Sequence, residues 1–278
     1  MNDHPTKRYV CRWGGGLLML LLLQWVVASC TLTKYVPEGQ YLLDEVTIVT
    51  DNKEVKPSML TPFVRQTPNA KWFSLVKTQL YVYNWSGPDS TKWTNRALRR
   101  LGDAPVIYSP SETDRTCQEI TKAVQNMGYM GASVTSERIL SKKRIKLTYR
   151  ISTGRPYRIK SLSRDIQDDQ IAELLRSDSV SLLSPQMLFD INQLDAERQR
   201  IVNLLRNRGY YKFNKDYISY TADTVKGSYA ADLTLHLAKY RQRAGDSLTN
   251  HRLYTIGTVN FITDYNVLES SALSSIEV

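Results

Sequence analysis

Glu119-Ile120-Thr121-Lys122-Ala123-Val124-Gln125-Asn126-Met127-Gly128-Tyr129 aligns with Arg200-Ile201-Val202-Asn203-Leu204-Leu205-Arg206-Asn207-Arg208-Gly209-Tyr210, position by position, at an offset of 81. Each stretch predicts an amphipathic helix stopped by glycine. Cys117, Ile120, Val124 and Met127 form one apolar stripe, and Leu194, Ile201, Leu204 and Leu205 form the other. Gly128 and Gly209 stand where a helix end needs positive φ, and Arg206 and Arg208 suit the negative end of the second helix. Upstream, Ser109-Pro110-Ser111-Glu112 predicts a capping box with proline at the first helical position, and Ser184-Pro185 opens the corresponding stretch.

Working outward, each Gly-Tyr leads into two strands. Ala132 to Arg138 is followed by a turn at Ser141-Lys142-Lys143, after which Ile145, Leu147, Tyr149 and Ile151 alternate with polar residues. In the second copy, Tyr217 to Thr221 precedes a turn near Lys226-Gly227, and Leu233, Leu235 and Leu237 alternate in the same way. An opening strand lies ahead of each helical part, at Val46–Val49 and at Tyr157–Ile159, and a third such opening appears at Tyr254–Phe261. The unit is therefore strand, helix, helix, strand, strand. Helices must cover one sheet face, so the fold class is α+β, with tandem modules of a three-stranded sheet covered by two helices. An inserted stretch, residues 70–105, is rich in aromatics; it predicts packing within the insertion, with a partner-contact patch as the sharper alternative.

The first thirty residues read as an address. Lys7, Arg8 and Arg12 precede an apolar run from Leu17 to Ala28, too short to cross a bilayer and of the size of a signal-peptide core. Val27-Ala28-Ser29-Cys30 resembles a lipobox, which makes residues 1–29 a lipoprotein signal peptide and Cys30 the lipidated first residue; ordinary cleavage nearby is the alternative. The mature chain then has 278 − 29 = 249 residues, and its net charge falls from +10 to +8 because the signal carries three basic residues and Asp3. Of the three cysteines only Cys117 stays unmodified, as a core thiol, so no disulfide framework exists. A secreted chain excludes nucleic acid as the reason for its basic balance. Arg96, Arg99 and Arg100 form one cluster and Lys142-Lys143-Arg144 another; solvated surface is the plain reading and attraction to anionic headgroups the functional one.

No metal-ligand spacing and no phosphate loop is present in the sequence, and no cofactor is expected. Gly245-Asp246-Ser247-Leu248 spells a serine-hydrolase signature, but it lies between two strands with His251 only four residues on, and a polar loop accounts for it. The chain is expected not to be an enzyme.

These modules, each with a helix ending in Gly-Tyr before a hairpin, resemble the POTRA domain. The run Cys30-Thr31-Leu32-Thr33-Lys34-Tyr35-Val36-Pro37-Glu38-Gly39-Gln40-Tyr41-Leu42-Leu43, together with Leu80-Tyr81-Val82-Tyr83-Asn84 and Gly102-Asp103-Ala104-Pro105-Val106, is similar to the N-terminal part of BamA/TamA-type outer-membrane assembly proteins, in their lipoprotein (TamL-like) branch. The modules then run over residues 30–155 and 156–240, with 241–278 a linker and the start of a truncated third module. The family continues into a membrane barrel. Only 26 residues remain from Leu253 to Val278, whereas even eight strands need about 80, so no β-barrel fits within this sequence and a truncated or split member is expected.

The resemblance implies a periplasmic scaffold that binds unfolded outer-membrane protein clients, or a periplasm-spanning partner protein, by strand addition at a sheet edge, and no small-molecule substrate. It places that edge on the first hairpin strand of each module: Ala132, Ser133, Val134, Thr135 and Ser136, and Tyr217, Ile218, Ser219 and Tyr220. Thr31 in place of an acidic residue after Cys30 points to the outer membrane, and the absence of an acidic cluster beyond it points the body to the periplasm. The alternative of another class is an envelope lipoprotein that binds a partner protein or cell-wall component without assembly activity.

Overall fold

The computed structural model describes residues 32–72, 76–225, 227–241 and 247–259. Residues 1–31, where the signal peptide and Cys30 lipidation are expected, Gly245-Asp246 and the stretch from Asn260 onward lie outside the described residues. Contacts divide the chain into two units: one runs through Gln125 and takes up Gly131–Gly154, and the other holds Asn126–Met130 and the chain from Arg155. Among the described residues there are six helices and two three-stranded sheets, and no closed barrel.

The first unit runs β1 (Leu42–Thr50), α1 (Pro57–Leu60), α2 (Thr78–Trp85), α3 (Trp93–Leu101), α4 (Pro110–Asn126), β2 (Ser133–Ser141) and β3 (Arg144–Ser152). The second runs β4 (Arg158–Ile166), α5 (Asp169–Ser177), α6 (Ile191–Asn207), β5 (Ile218–Thr224) and β6 (Ala230–Leu237). Sheet order is β1-β3-β2 and β4-β6-β5, with the opening strand parallel to the central one and the hairpin antiparallel. Both opening strands carry a register shift near their start, at Leu43/Glu45 and at Ile159/Ser161.

The long helices repeat to the residue. Both have 17 residues, and their bounds differ by 81 (191 − 110 and 207 − 126). Gly128 and Gly209 follow them at φ +98° and +97°, a conformation that only glycine adopts without strain. In the second unit each Gly carbonyl accepts a backbone bond, from Tyr157 N–H and from Tyr254 N–H, both at 2.8 Å. Tyr254, expected to begin a third opening strand, therefore sits as Tyr157 does, yet residues 253–259 form no strand among the described residues.

Helix starts depart from expectation. Pro110 is the first residue of α4, but Glu112 pairs with Arg115 and does not turn back to Ser109. The Ser109 N–H goes to the Gln66 side chain at 3.0 Å, and Gln66 in turn donates to the Ile107 carbonyl. A distant glutamine does what a local glutamate was expected to do. Ser184-Pro185 opens no helix: the chain turns there, with Gln186 at φ +71°, and Asp190 caps α6 by accepting from Asn192 N–H.

In the first unit α4 turns Thr113, Thr116, Ile120, Ala123 and Val124 inward, and β3 turns Ile145, Leu147, Tyr149 and Ile151 inward. The Tyr149 hydroxyl meets Thr116 and Thr113, and burial pushes its pKa up. Cys117 is half-buried and not a core thiol; burial raises its pKa while the Ser136 hydroxyl opposes that. The second unit packs Ile171, Leu175, Ile201, Val202 and Leu205 against Ile218, Leu235 and Leu237.

The insertion forms a helical pair on the first unit. Leu80 of α2 packs with Leu32, Val36 and Leu42, and the buried Lys77 ammonium bonds the Asp44 carbonyl at 2.6 Å and its carboxylate at 2.8 Å. Gly102, which ends α3, lies directly against α2. A Cβ there would come 2.4 Å from the Tyr83 nitrogen and 2.7 Å from the Gln79 carbonyl oxygen. Gly102→Ala must therefore spread the pair, and we expect a loss of roughly 1–3 kcal/mol or more in chemical denaturation.

One buried charge cluster ties the loop before α6 to that helix. Glu197, 3% exposed at its side chain, accepts from Arg200 at 2.8 and 2.9 Å, from Leu182 N–H and from the Ser181 hydroxyl, and Arg200 also holds Asp178. Burial pushes the Glu197 carboxyl up, but the Arg200 guanidinium and the Leu182 N–H outweigh it and leave the pKa below the usual range. A lowered folded-state pKa stabilises above the unfolded value of about 4.3, and that contribution is lost as pH falls through the folded value. Wild type should thus lose more stability than Glu197→Gln between about pH 5 and pH 3. At neutral pH, Arg200→Ala should cost about 3 kcal/mol by leaving Glu197 buried and unpaired.

Candidate functional site

An open sheet edge is made by backbone, so its geometry follows from pairing parity. In the first unit β2 pairs on one side only, with Ser141↔Arg144 closing a two-residue turn and Lys142 at φ +55°. The closing pair of such a turn is of the hydrogen-bonded kind. Counting back by twos, Ser133, Thr135, Glu137 and Ile139 bond to β3. Val134, Ser136, Arg138 and Leu140 turn their N–H and C=O groups to the free side. In the second unit the Ala238 N–H donates to the Tyr217 carbonyl at 2.9 Å, which makes that pair hydrogen-bonded. Ile218, Tyr220, Ala222 and Thr224 are then the outward-directed residues of β5.

The opposite edges are engaged where the opening strands begin. Ile107 makes an antiparallel bridge to Leu42, with Leu43 N–H to the Val106 carbonyl at 2.8 Å and Tyr108 N–H to the Tyr41 carbonyl at 2.9 Å. In the second unit Leu188 bridges Arg158, and Ile159 exchanges bonds with Gln186 and Met187. In both units the segment preceding the long helix occupies this place. A free edge invites pairing with any extended chain.

The residues expected from the sequence divide on this geometry. Ser133, Val134, Thr135 and Ser136 lie on β2, but Ala132 is buried just before it. Ile218, Ser219 and Tyr220 lie on β5, whereas Tyr217 belongs to the 3₁₀ turn Lys215–Tyr217 and packs on Phe213 and His251. Ile218 is buried at its side chain and offers only backbone. The edges also run further than expected, through Ser141 and through Thr224. Arg138-Ile139-Leu140 shows no polar–apolar alternation, so the sequence pattern does not mark the extension of β2.

Beside the β2 edge lies a groove of about 620 Å³. Tyr41, Ile107, Tyr108 and Pro110 form one wall, and Arg138 and Leu140 form the other. Leu140 and Ile139 are exposed apolar residues on this strand, and Arg138 reaches the Tyr108 hydroxyl at 3.5 Å. The outer sheet face is charged, with Glu137–Arg150 at 2.5 Å and Glu45–Lys146 at 2.9 Å. The Lys146 ammonium, and Lys71 beside it, hold the Glu45 carboxyl below its ordinary pKa. The groove can thus take alternate side chains of a strand added to β2, next to a basic hairpin tip at Lys142, Lys143 and Arg144.

Other candidates resolve differently. Ser247 is exposed, while His251 is buried with its Nε2 2.9 Å from the Ala238 carbonyl and its N–H bonded to Asp168. Among the described residues no group of three or more His, Cys, Asp or Glu is placed to hold a metal ion.

Comparison with protein families matches residues 41–154 to the POTRA model, described as a surface antigen variable number repeat. Curated protein sequences give no match. Among solved structures, POTRA3–5 of BamA from Haemophilus influenzae is similar at 13% identity and a TM-score of 0.36, over 84% of this chain and 94% of that one. POTRA1–2 of the periplasmic domain of Omp85 from Anabaena is similar at 12% identity and a TM-score of 0.30, over 74% and 100%. BamA from Haemophilus ducreyi lacking POTRA domains 1–3 is similar at 12% identity and a TM-score of 0.35, over 71% of this chain but 29% of that one.

Edge parity has a direct readout in amide hydrogen exchange. The N–H groups of Thr135, Glu137 and Ile139 should be protected, and those of Val134, Ser136 and Arg138 should exchange at least tenfold faster. Uniform protection along β2 would mean that the edge is already covered.

Proposed function

With a POTRA domain at residues 41–154, we propose that the chain is the periplasmic scaffold of an outer-membrane protein assembly or translocation lipoprotein of the TamL-like branch. It holds extended client or partner segments as an added strand on β2. The observation that carries this reading is the nine-residue open edge of β2 beside an apolar groove, on a sheet whose other edge is engaged at Leu42. Backbone pairing tolerates many sequences, which suits an assembly factor meeting unfolded outer-membrane proteins, and a periplasm-spanning partner protein could dock by the same bonds. β5 offers a second, shorter edge of seven residues, where Tyr220 lines a smaller pocket of about 100 Å³.

Under this proposal Cys30 carries the lipid, residues 1–29 are removed, and the body faces the periplasm from the outer membrane. The lipobox and the Thr31 that follows it support that placement. The role is one of binding. It involves no catalytic step, no metal and no cofactor.

A photo-crosslinker at Thr135, whose side chain stands exposed on the outer face, should capture client or partner chains in cells. Arg138→Pro removes an N–H that points away from β3, so the folded domain should melt within a few degrees of wild type. Capture at Thr135 should nevertheless fall about tenfold. Unchanged capture in the proline variant, or none in wild type, would refute strand addition at β2.

A further inference from the structure

The inserted helix α3 (Trp93–Leu101) presents an apolar face that no described residue of the first unit covers. It has no buried residue. At 100° per residue, Trp93, Ala97 and Leu101 span an arc of about 80°, with Arg96 and Arg100 along its flank. Trp93 is 75% and Leu101 72% exposed. The opposite side of the helix is where its anchoring bonds lie. Asn95 accepts from Gly87 N–H at 2.8 Å and donates to the Asp89 carbonyl at 2.7 Å, and Arg99 donates to the Gly87 carbonyl at 2.9 Å and stacks over Tyr35. The arginine cluster of the sequence therefore splits: Arg99 is structural, while Arg96 and Arg100 face solvent. The helix has no acidic residue, Lys92 precedes it, and Asp89 and Asp103 lie outside it.

We propose that this face is a membrane-surface contact, seated in the headgroup layer of a bilayer that contains anionic phospholipid. A tryptophan and a leucine two turns apart, flanked by arginines, match what an interfacial helix requires: an apolar strip to enter the acyl boundary and cations to meet phosphate. Nine residues rise only about 13.5 Å, far short of a bilayer core. Among the described residues no helix is long and apolar enough to cross a membrane. The charge favours lipid over a protein partner, because the exposed face offers cations and apolar groups but no acid for a mixed-charge interface. Trp85 of the neighbouring α2 is half exposed and adds a further aromatic to the pair.

The position of the insertion agrees with this. Leu32 and Val36 pack with Leu80 of α2, and Lys34 and Tyr35 bond the carbonyls of Asn84 and Ser86. The helical pair is thereby fastened to the first described residues of the chain. If Cys30 carries the lipid, two residues span at most about 7 Å from Leu32, so the pair is held beside the anchor. A lipid alone leaves the body free to swivel; a second contact on α3 fixes its orientation.

The test uses the full chain with Cys11→Ser, Cys30→Ser and Cys117→Ser, so that acylation cannot contribute, and Thr94→Cys carrying an environment-sensitive fluorophore. Thr94 is exposed on the same arc. Vesicles of phosphatidylcholine with about 30% phosphatidylglycerol should shift the emission to the blue. Phosphatidylcholine alone should give less than half that shift. Trp93→Ala with Leu101→Ala should abolish it, and Arg96→Gln with Arg100→Gln should remove its dependence on phosphatidylglycerol. Because all four side chains face solvent, the variants should keep the wild-type Tm and circular dichroism. A label that remains in water on both vesicles, or that shifts equally on both and in every variant, overturns the proposal; neither outcome bears on strand addition at β2.

Discussion

A three-stranded sheet can satisfy the backbone of only one strand on both sides, and every other feature of these modules answers to that shortage. The central strands, β3 and β6, take the opening strand in parallel on one flank and the hairpin strand in antiparallel on the other. Two edges per sheet remain. The segment before the long helix meets one of them, through Ile107 in the first unit and Gln186–Leu188 in the second. In the first unit it does so at Ile107, and in the second it turns at Gln186 before Met187 and Leu188 meet the strand ahead of α6. Among the described residues the other edge, on β2 and β5, has no such neighbour in its own sheet, which is the kind of edge that invites pairing.

The repeat was legible because it rests on chain-local rules. Gly128 and Gly209 have the left-handed φ that a helix stop demands, and the helices they end agree in length and offset. The alternation of β3 and β6 was equally plain, since one buried face imposes a period of two. Misreadings arose where a distant residue supplies the bond. Gln66 replaces Glu112 at the Ser109 N–H, and Asp190 caps α6 six residues after Ser184. Cys117 fits the apolar period of its helix, yet Thr113 and Thr116 are the buried residues at that end, because the Tyr149 hydroxyl needs partners there. Glu197 is not legible in the sequence for a related reason. A carboxylate on the inner face is stable only beside Arg200, and that pairing is not visible from spacing alone.

The candidate edge was half legible. Strand identity came from the sequence pattern, but Ala132 and Tyr217 fell outside it, since strand ends depend on where the preceding turn packs. Which backbone groups point outward could be counted only once the closing pair of the hairpin was known. The insertion was the least legible part. Among its described aromatics Tyr81 is partly buried beside Leu80 while Trp72, Trp85 and Trp93 are exposed, and a composition count sees only their sum.

The parity of β2 also bears on how the module can diverge. Val134, Ser136, Arg138 and Leu140 direct their backbone to the open edge and their side chains to the helical face, whereas Ser133, Thr135 and Glu137 stand on the charged outer face. An exposed ion pair such as Glu137–Arg150 contributes about 0–1 kcal/mol. Substitutions at those outer positions therefore meet little selection from either stability or edge pairing. Lineages descended from such a module are free to repaint the outer face by drift, while the edge itself is set by the direction of peptide bonds, where substitution leaves little trace.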